Sequence, residues 1–174
     1  MTIADAFVGE LEAEAGTTRR VLERVPDDHL NWRPHEKSSS LGQLALHVAT
    51  LPQQLTGFVA GDTFDLATVD FKQSAPASRG ELLAAFEASL SAARAYLSRL
   101  DDTRATNVWT LVAGTTEIVA MPRAAALRSL LFNHLYHHRG QLLVYLRLLN
   151  VPVPSVYGPT ADENPFGEAR NAVP

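Results

Sequence analysis

Apolar positions recur at helical spacing in four stretches of the chain. The first runs from about Ile3 to Val25. It sets Phe7, Leu11, Thr18, Leu22 and Val25 on one face, with Glu10, Glu12, Glu14, Arg19 and Arg20 largely off it. Pro26 ends it, and Asp27, Asp28, Pro34 and three serines mark Pro26–Ser40 as a loop. A second helix starts after Ser40, which forms a capping box with Gln43. Leu44, His47, Leu51, Leu55 and Phe58 follow at steps of three and four, and Pro52 is expected to kink or divide this helix. Gly57 and Gly61 lead into a variable stretch, Asp62 to Ala77. A second box, Ser78 with Glu81, opens the third helix, whose seam is Leu83, Phe86, Leu90, Ala93, Leu97 and Leu100, closed by Asp101 and Asp102. Asn107 to Met121 is rich in Val and Thr and reads as a short β-hairpin or extended connection. Pro122 suits the first position of a fourth helix reaching about Leu149. Its inward stripe is Leu127, Leu131, His134, His138, Gln141, Tyr145 and Leu148, and Asn150, Pro152 and Pro154 stop it. The tail from about residue 150, rich in Pro, Gly and Asn, is expected as extended coil packing back on the helices.

Composition narrows the class. Ala occurs 25 times and Leu 24 times against two Ile, which favours an all-α fold, a four-helix bundle with the hairpin between its third and fourth helices. At 174 residues the chain is expected to form one domain, 1–174. A net charge of −4 with no Lys/Arg cluster argues against nucleic acid as a partner. With no cysteine, thiolate metal sites, disulfides and cysteine nucleophiles are excluded. The amino terminus does not read as a secretion signal, and no apolar run approaches the ~20 residues of a membrane span. A soluble cytoplasmic protein that does not engage membranes is therefore expected.

The histidines carry the chemical signal. Of six, His29 and His35 fall in the loop and are expected to be solvated. His134 and His138 are one turn apart on one face, within reach of a single ion. His47 occupies the inward stripe of another helix. Where the two helices face each other, three imidazoles converge, a donor set that suits Zn²⁺, Ni²⁺ or Fe²⁺ and leaves a position open for water or substrate. Against this, an H-x-x-x-H pair is a low-specificity pattern, and a lone inward histidine is more often a hydrogen-bonded core residue. His137 lies off the stripe and is assigned to packing. Arg139 reads either as a solvated or interface cation or as an anion clamp, and Gln141 as a stripe amide or a hydrogen-bond donor near the ion. Trp32 and Trp109 read as end packing, Tyr136 and Tyr145 as core or interface aromatics. Asp162 and Glu163 read as solvated or, alternatively, as reaching the site mouth.

The string HLYHHRGQLLVYLRLLNVPVPSVYGPTADE, His134 to Glu163, resembles the carboxy-terminal signature of the DinB family (the DinB/YfiT-like proteins), and LNWRPHEKSSSLGQLALHVA, Leu30 to Ala49, is similar to that family's second signature. The likeness covers roughly residues 3 to 163. It implies an up-down-down-up four-helix bundle, usually a homodimer, holding a divalent metal on three histidines. By position these are His47, His134 and His138. It also implies thiol S-transferase or isomerase chemistry using a low-molecular-weight thiol cosubstrate, while an ion with an open position that activates water makes a hydrolase the other option. The alternative is a non-enzymatic, metal-binding, stress-associated homodimer. Alanines of the third helix (Ala84, Ala85, Ala88, Ala92, Ala95) and Leu130, Leu142 and Leu149 of the fourth offer a second apolar face for a two-fold partner.

Overall fold

The structure, a computed structural model, describes residues 1–70 and 74–167. Residues 71–73 of the variable stretch and 168–174 of the expected tail lie outside the described residues.

Helix α1 spans Ile3–Leu22 and opens on a capping box formed by Thr2 and Asp5. Its buried face, Phe7, Leu11, Thr18 and Leu22, is the one the periodicity marks, with Ala4 and Val21 added. Helix α2, Leu41–Phe58, opens on the expected Ser40–Gln43 box. Gly42 sits where a loop presses in: a Cβ there would lie 3.0 Å from both Leu30 O and Ala75 Cβ. Pro52 neither divides nor ends this helix. The ladder is repaired from outside, because the Gln53 N–H donates to Ser89 Oγ of the neighbouring helix at 2.9 Å. That neighbour, α3 (Arg79–Leu97), buries Leu82, Phe86, Ser89, Leu90, Ala93 and Leu97, while Leu83 is only partly covered. Ser78 caps it as expected, but the Glu81 carboxylate reaches past Ser78 to accept from the Ala77 N–H at 2.7 Å.

Asp101 does not simply end α3. It caps a short helix α4, Asp102–Thr106, and the Asp102 carboxylate accepts from the Ile3 N–H at the start of α1. The β-rich stretch forms the expected hairpin, β2 (Val108–Ala113) with β3 (Thr116–Pro122), turning at Gly114 with φ 59°. Preceding both in the chain, β1 (Thr63–Asp65) pairs parallel to β2, so the variable stretch contributes a third strand that the pattern did not predict. The fold is therefore mostly helical with a small three-stranded sheet, rather than all-α. Trp109, fully buried on β2, donates to the Phe58 carbonyl and fastens the sheet to the end of α2.

Pro122 ends β3 and precedes the fourth long helix instead of occupying its first turn. That helix runs without a break through α5 (Arg123–Ala126), a π-helical segment (Leu127–Asn133) and α6 (His134–Leu148). The π segment rephases the expected stripe. The buried row runs Leu127, Leu131, Leu135 and Arg139, then Leu142 and Leu146, with Arg123, Ala126 and Phe132 buried beside it. Steps of four drift around an α-helix at 3.6 residues per turn, and the wider π turn absorbs the drift. His134, His138 and Tyr145 are accordingly half-buried at the edge of the core, and Gln141 and Leu148 are exposed. Helix α1 packs on α3 and α6, and α2 packs on α3 and α6, around one apolar cluster that also takes in Val153 of the tail.

Candidate metal centre

Two helices supply the histidines. His47 stands one turn beyond Gln43 on α2, and His134 and His138 occupy the first two turns of α6, immediately after the π segment. His47 Nε2 lies 3.4 Å from His134 Nε2. The ring centroids of His47 and His138 are 4.5 Å apart, as are those of His134 and His138. One donor nitrogen from each residue lies within 4.8 Å of the other two. Two ligands at ~2.1 Å from a tetrahedral ion would sit ~3.4 Å apart, so the Nε2 pair has the separation that a shared ion requires. The cluster is compatible with a metal site.

Electrostatics keep the donors neutral. Burial, reinforced by the facing His138 and His134 rings, pushes His47 down to about 4. Burial also lowers His134, helped by His138 and His137 and opposed by its hydrogen bond to the Leu130 carbonyl. For His138 burial lowers the value and the Gln141 side chain partly offsets it. At neutral pH all three rings therefore present lone pairs, which is what ligation requires. Gln141 does not play the donor role expected near an ion: its Oε1 lies 2.7 Å from His138 Nδ1 and accepts from it.

The three imidazoles open onto a cleft of about 900 Å³. Leu51, Leu55 and Phe58 line it toward the carboxy-terminal end of α2, and Ser38, Ser39, Gln43, Gln141 and Tyr145 line it toward the other. Trp32 meets Tyr145 edge-on at 5.8 Å and buttresses that polar end. His137 is exposed and stays outside the cluster, its ring 4.8 Å from that of His138. His29 and His35 remain in the loop that precedes α2 and lie outside the cluster, and His29 contacts Asp28 at 2.8 Å.

Arg139 is neither solvated nor a clamp at the site. It is 1% exposed and points away from the cleft, pairing with Glu14 at 2.6 Å and donating to Thr18 Oγ1 and to the Tyr157 hydroxyl. It ties α6 to α1 and to the tail. Tyr136 donates to Glu10, which Arg128 also holds, and burial together with the contact to that carboxylate pushes the phenol well above its ordinary value. Asp162 and Glu163 do not approach the site mouth. They accept from the Val153 and Ser155 N–H groups and pair with Arg147 and Arg20, folding the tail onto the helices. The pattern missed Arg123, which is fully buried at the root of the site helix. A signal was present for Arg139: it falls in the four-step row of leucines, where a cation must be buried and partnered.

These features place the chain in a known class. It belongs to the DinB family, whose sequence model matches residues 1–168. It is 27% identical over 162 residues to YrdA of Bacillus subtilis strain 168, a protein described as uncharacterized, covering 91% of this chain and 90% of that one. The fold is shared with a DinB-like protein from Bacillus cereus ATCC 10987 at TM-score 0.66, 24% identity and 88% and 97% coverage of the two chains. A DinB-like protein from Bacillus subtilis, YjoA, also aligns at TM-score 0.66, with 18% identity and 86% and 96% coverage.

Proposed function

We propose that His47, His134 and His138 hold one divalent transition metal, Zn²⁺, Ni²⁺ or Fe²⁺, and that the chain is a metal-dependent thiol S-transferase or hydrolase. The observation that carries this reading is the position of the triad on the wall of a 900 Å³ cleft. A purely structural site is closed by four protein ligands, whereas three ligands facing a cavity leave room for a substrate. Three neutral imidazoles suit these metals better than Mg²⁺ or Ca²⁺. The bound ion supplies Lewis-acid activation of a thiol or a water, since neutral ligands leave its charge undiminished. The protein's own share is orientation. The apolar wall at Leu51, Leu55 and Phe58 takes the body of a substrate, and the hydroxyls and amides at Ser38, Gln43 and Tyr145 offer hydrogen bonds to its polar end. With no cysteine in the chain, the thiol must arrive as a cosubstrate of low molecular weight.

The same reading takes the packing of α1, α2, α3 and the α5–α6 run as an up-down-down-up bundle that pairs as a homodimer. Of the second face expected on the last helix, Leu142 is buried in the core and Leu130 and Leu149 are half-buried, so exposed Ala84 and Ala88 on α3, with Val144 and Leu148 on α6 at 58% and 57% exposure, are the faces available for a partner copy. The test is conjugation of glutathione, bacillithiol and mycothiol to an electrophile, with and without metal. Turnover that needs both the metal and one of the thiols is the expected result. No turnover with any thiol would remove the transferase and leave hydrolysis.

A further inference from the structure

A histidine that ligates through Nε2 must carry its proton on Nδ1, and in an unconstrained imidazole the Nε2–H form is the commoner one. A site built on Nε2 therefore needs something to hold the other tautomer. The two site histidines of α6 are each given such a partner. His134 is hydrogen-bonded to the Leu130 carbonyl, and its Nε2 faces His47. His138 places Nδ1 2.7 Å from Gln141 Oε1, which leaves Nε2 as its nitrogen for the cluster. The Leu130 carbonyl comes from the π-helical segment directly before His134. Gln141 comes from the following turn of α6, three residues after His138, where side chains on a helix meet.

We infer that Gln141 is a positioning residue of this site, accepting the Nδ1–H of His138 so that the ring's Nε2 lone pair is held toward His47 and His134. The inference rests on the metal reading above for its purpose, though not for its geometry. The side chain is exposed and lines the cleft, so it has no part in the core and can be replaced without opening a cavity. A carboxylate at this position would serve the same end, because it too is an acceptor. A leucine of similar length would not, and loss of such an outer partner typically lowers metal affinity ~10–100-fold.

Two readouts test this, one of them free of metal. Long-range ¹H–¹⁵N spectra of the metal-free protein should show His138 with a protonated Nδ1 and a bare Nε2, and Gln141→Leu should shift the ring toward the Nε2–H form. Zinc titration should then give Gln141→Leu ~10–100-fold weaker binding than the parent, with Gln141→Glu restoring it. An Nε2–H ring in the parent protein overturns the inference, as does Gln141→Leu binding zinc as tightly as the parent. If the spectra are as expected while the parent binds no zinc, the metal reading fails and the role of Gln141 as tautomer holder stands.

Discussion

Replacing Arg123 with Met should be among the most damaging single changes in the chain, although no part of it touches the cleft. The guanidinium is 0% exposed. Its Nε donates to Val59 O, one terminal nitrogen to Arg104 O, and the other to Gly61 O, each at 2.8 Å, with Asp62 Oδ1 at 2.6 Å. One side chain thus ties the end of α2, the end of α4 and the entry to β1 to the first turn of the site helix. Met fills much the same volume and donates nothing. Val59 O keeps the Tyr96 hydroxyl, but Gly61 O and Arg104 O lose the donor this network gives them. Two carbonyls stripped of partners cost about 1–3 kcal/mol each. Asp62, 81% exposed, is left in water and adds little. A loss of about 3–4 kcal/mol is expected, lowering Tm by about 6–16 °C for a chain of this length. Arg123→Lys should fall between, since one ammonium cannot reach all four acceptors. Thermal and urea unfolding of the three proteins measures this. A loss below about 1 kcal/mol for Arg123→Met would refute the reasoning.

Acid should destabilise the metal-free protein in a defined window. Burial holds His47 at about 4 in the folded chain against 6.5 when unfolded, and His134 and His138 shift the same way. The unfolded state therefore binds more protons below pH 6.5, and stability should be full above that pH and drop as it falls toward 4. His47→Gln should flatten part of this slope in urea titrations run from pH 7 to 4, and an unchanged slope would count against the buried neutral ring. Light scattering at micromolar concentration should find twice the 18.9 kDa of one chain, and a species of 18.9 kDa alone would remove the homodimer.

Much of this was legible from the pattern because the local signals were strong. The Ser40–Gln43 box, the buried face of α1 and the hairpin at Gly114 all follow from residues acting on their near neighbours. What escaped depended on partners distant in sequence. Pro52 stays inside α2 because Ser89 of α3 takes the displaced N–H, a contact no window around Pro52 contains. The strand at Thr63–Asp65 exists by pairing with Thr110–Val112, too short a run to announce itself. The stripe of the last helix was misphased because a strict 3.6-residue period cannot see a π turn, which brought Leu135 and Arg139 to the core and left Leu148 exposed. The convergence of the three histidines does not depend on that phase. His134 and His138 lie after the π segment, so their mutual spacing is unaffected, and rotation from the core to its edge placed them on the cleft wall.

The central claim is that His47, His134 and His138 bind one transition metal ion. Elemental analysis of protein purified without a metal-affinity tag, followed by calorimetric titration of zinc and nickel into the stripped protein, tests it most directly. One equivalent should bind, with His47→Ala, His134→Ala and His138→Ala each weakening affinity by orders of magnitude and His137→Ala leaving the stoichiometry at one. A variant lacking all three that still took up one equivalent at the original affinity would contradict the account.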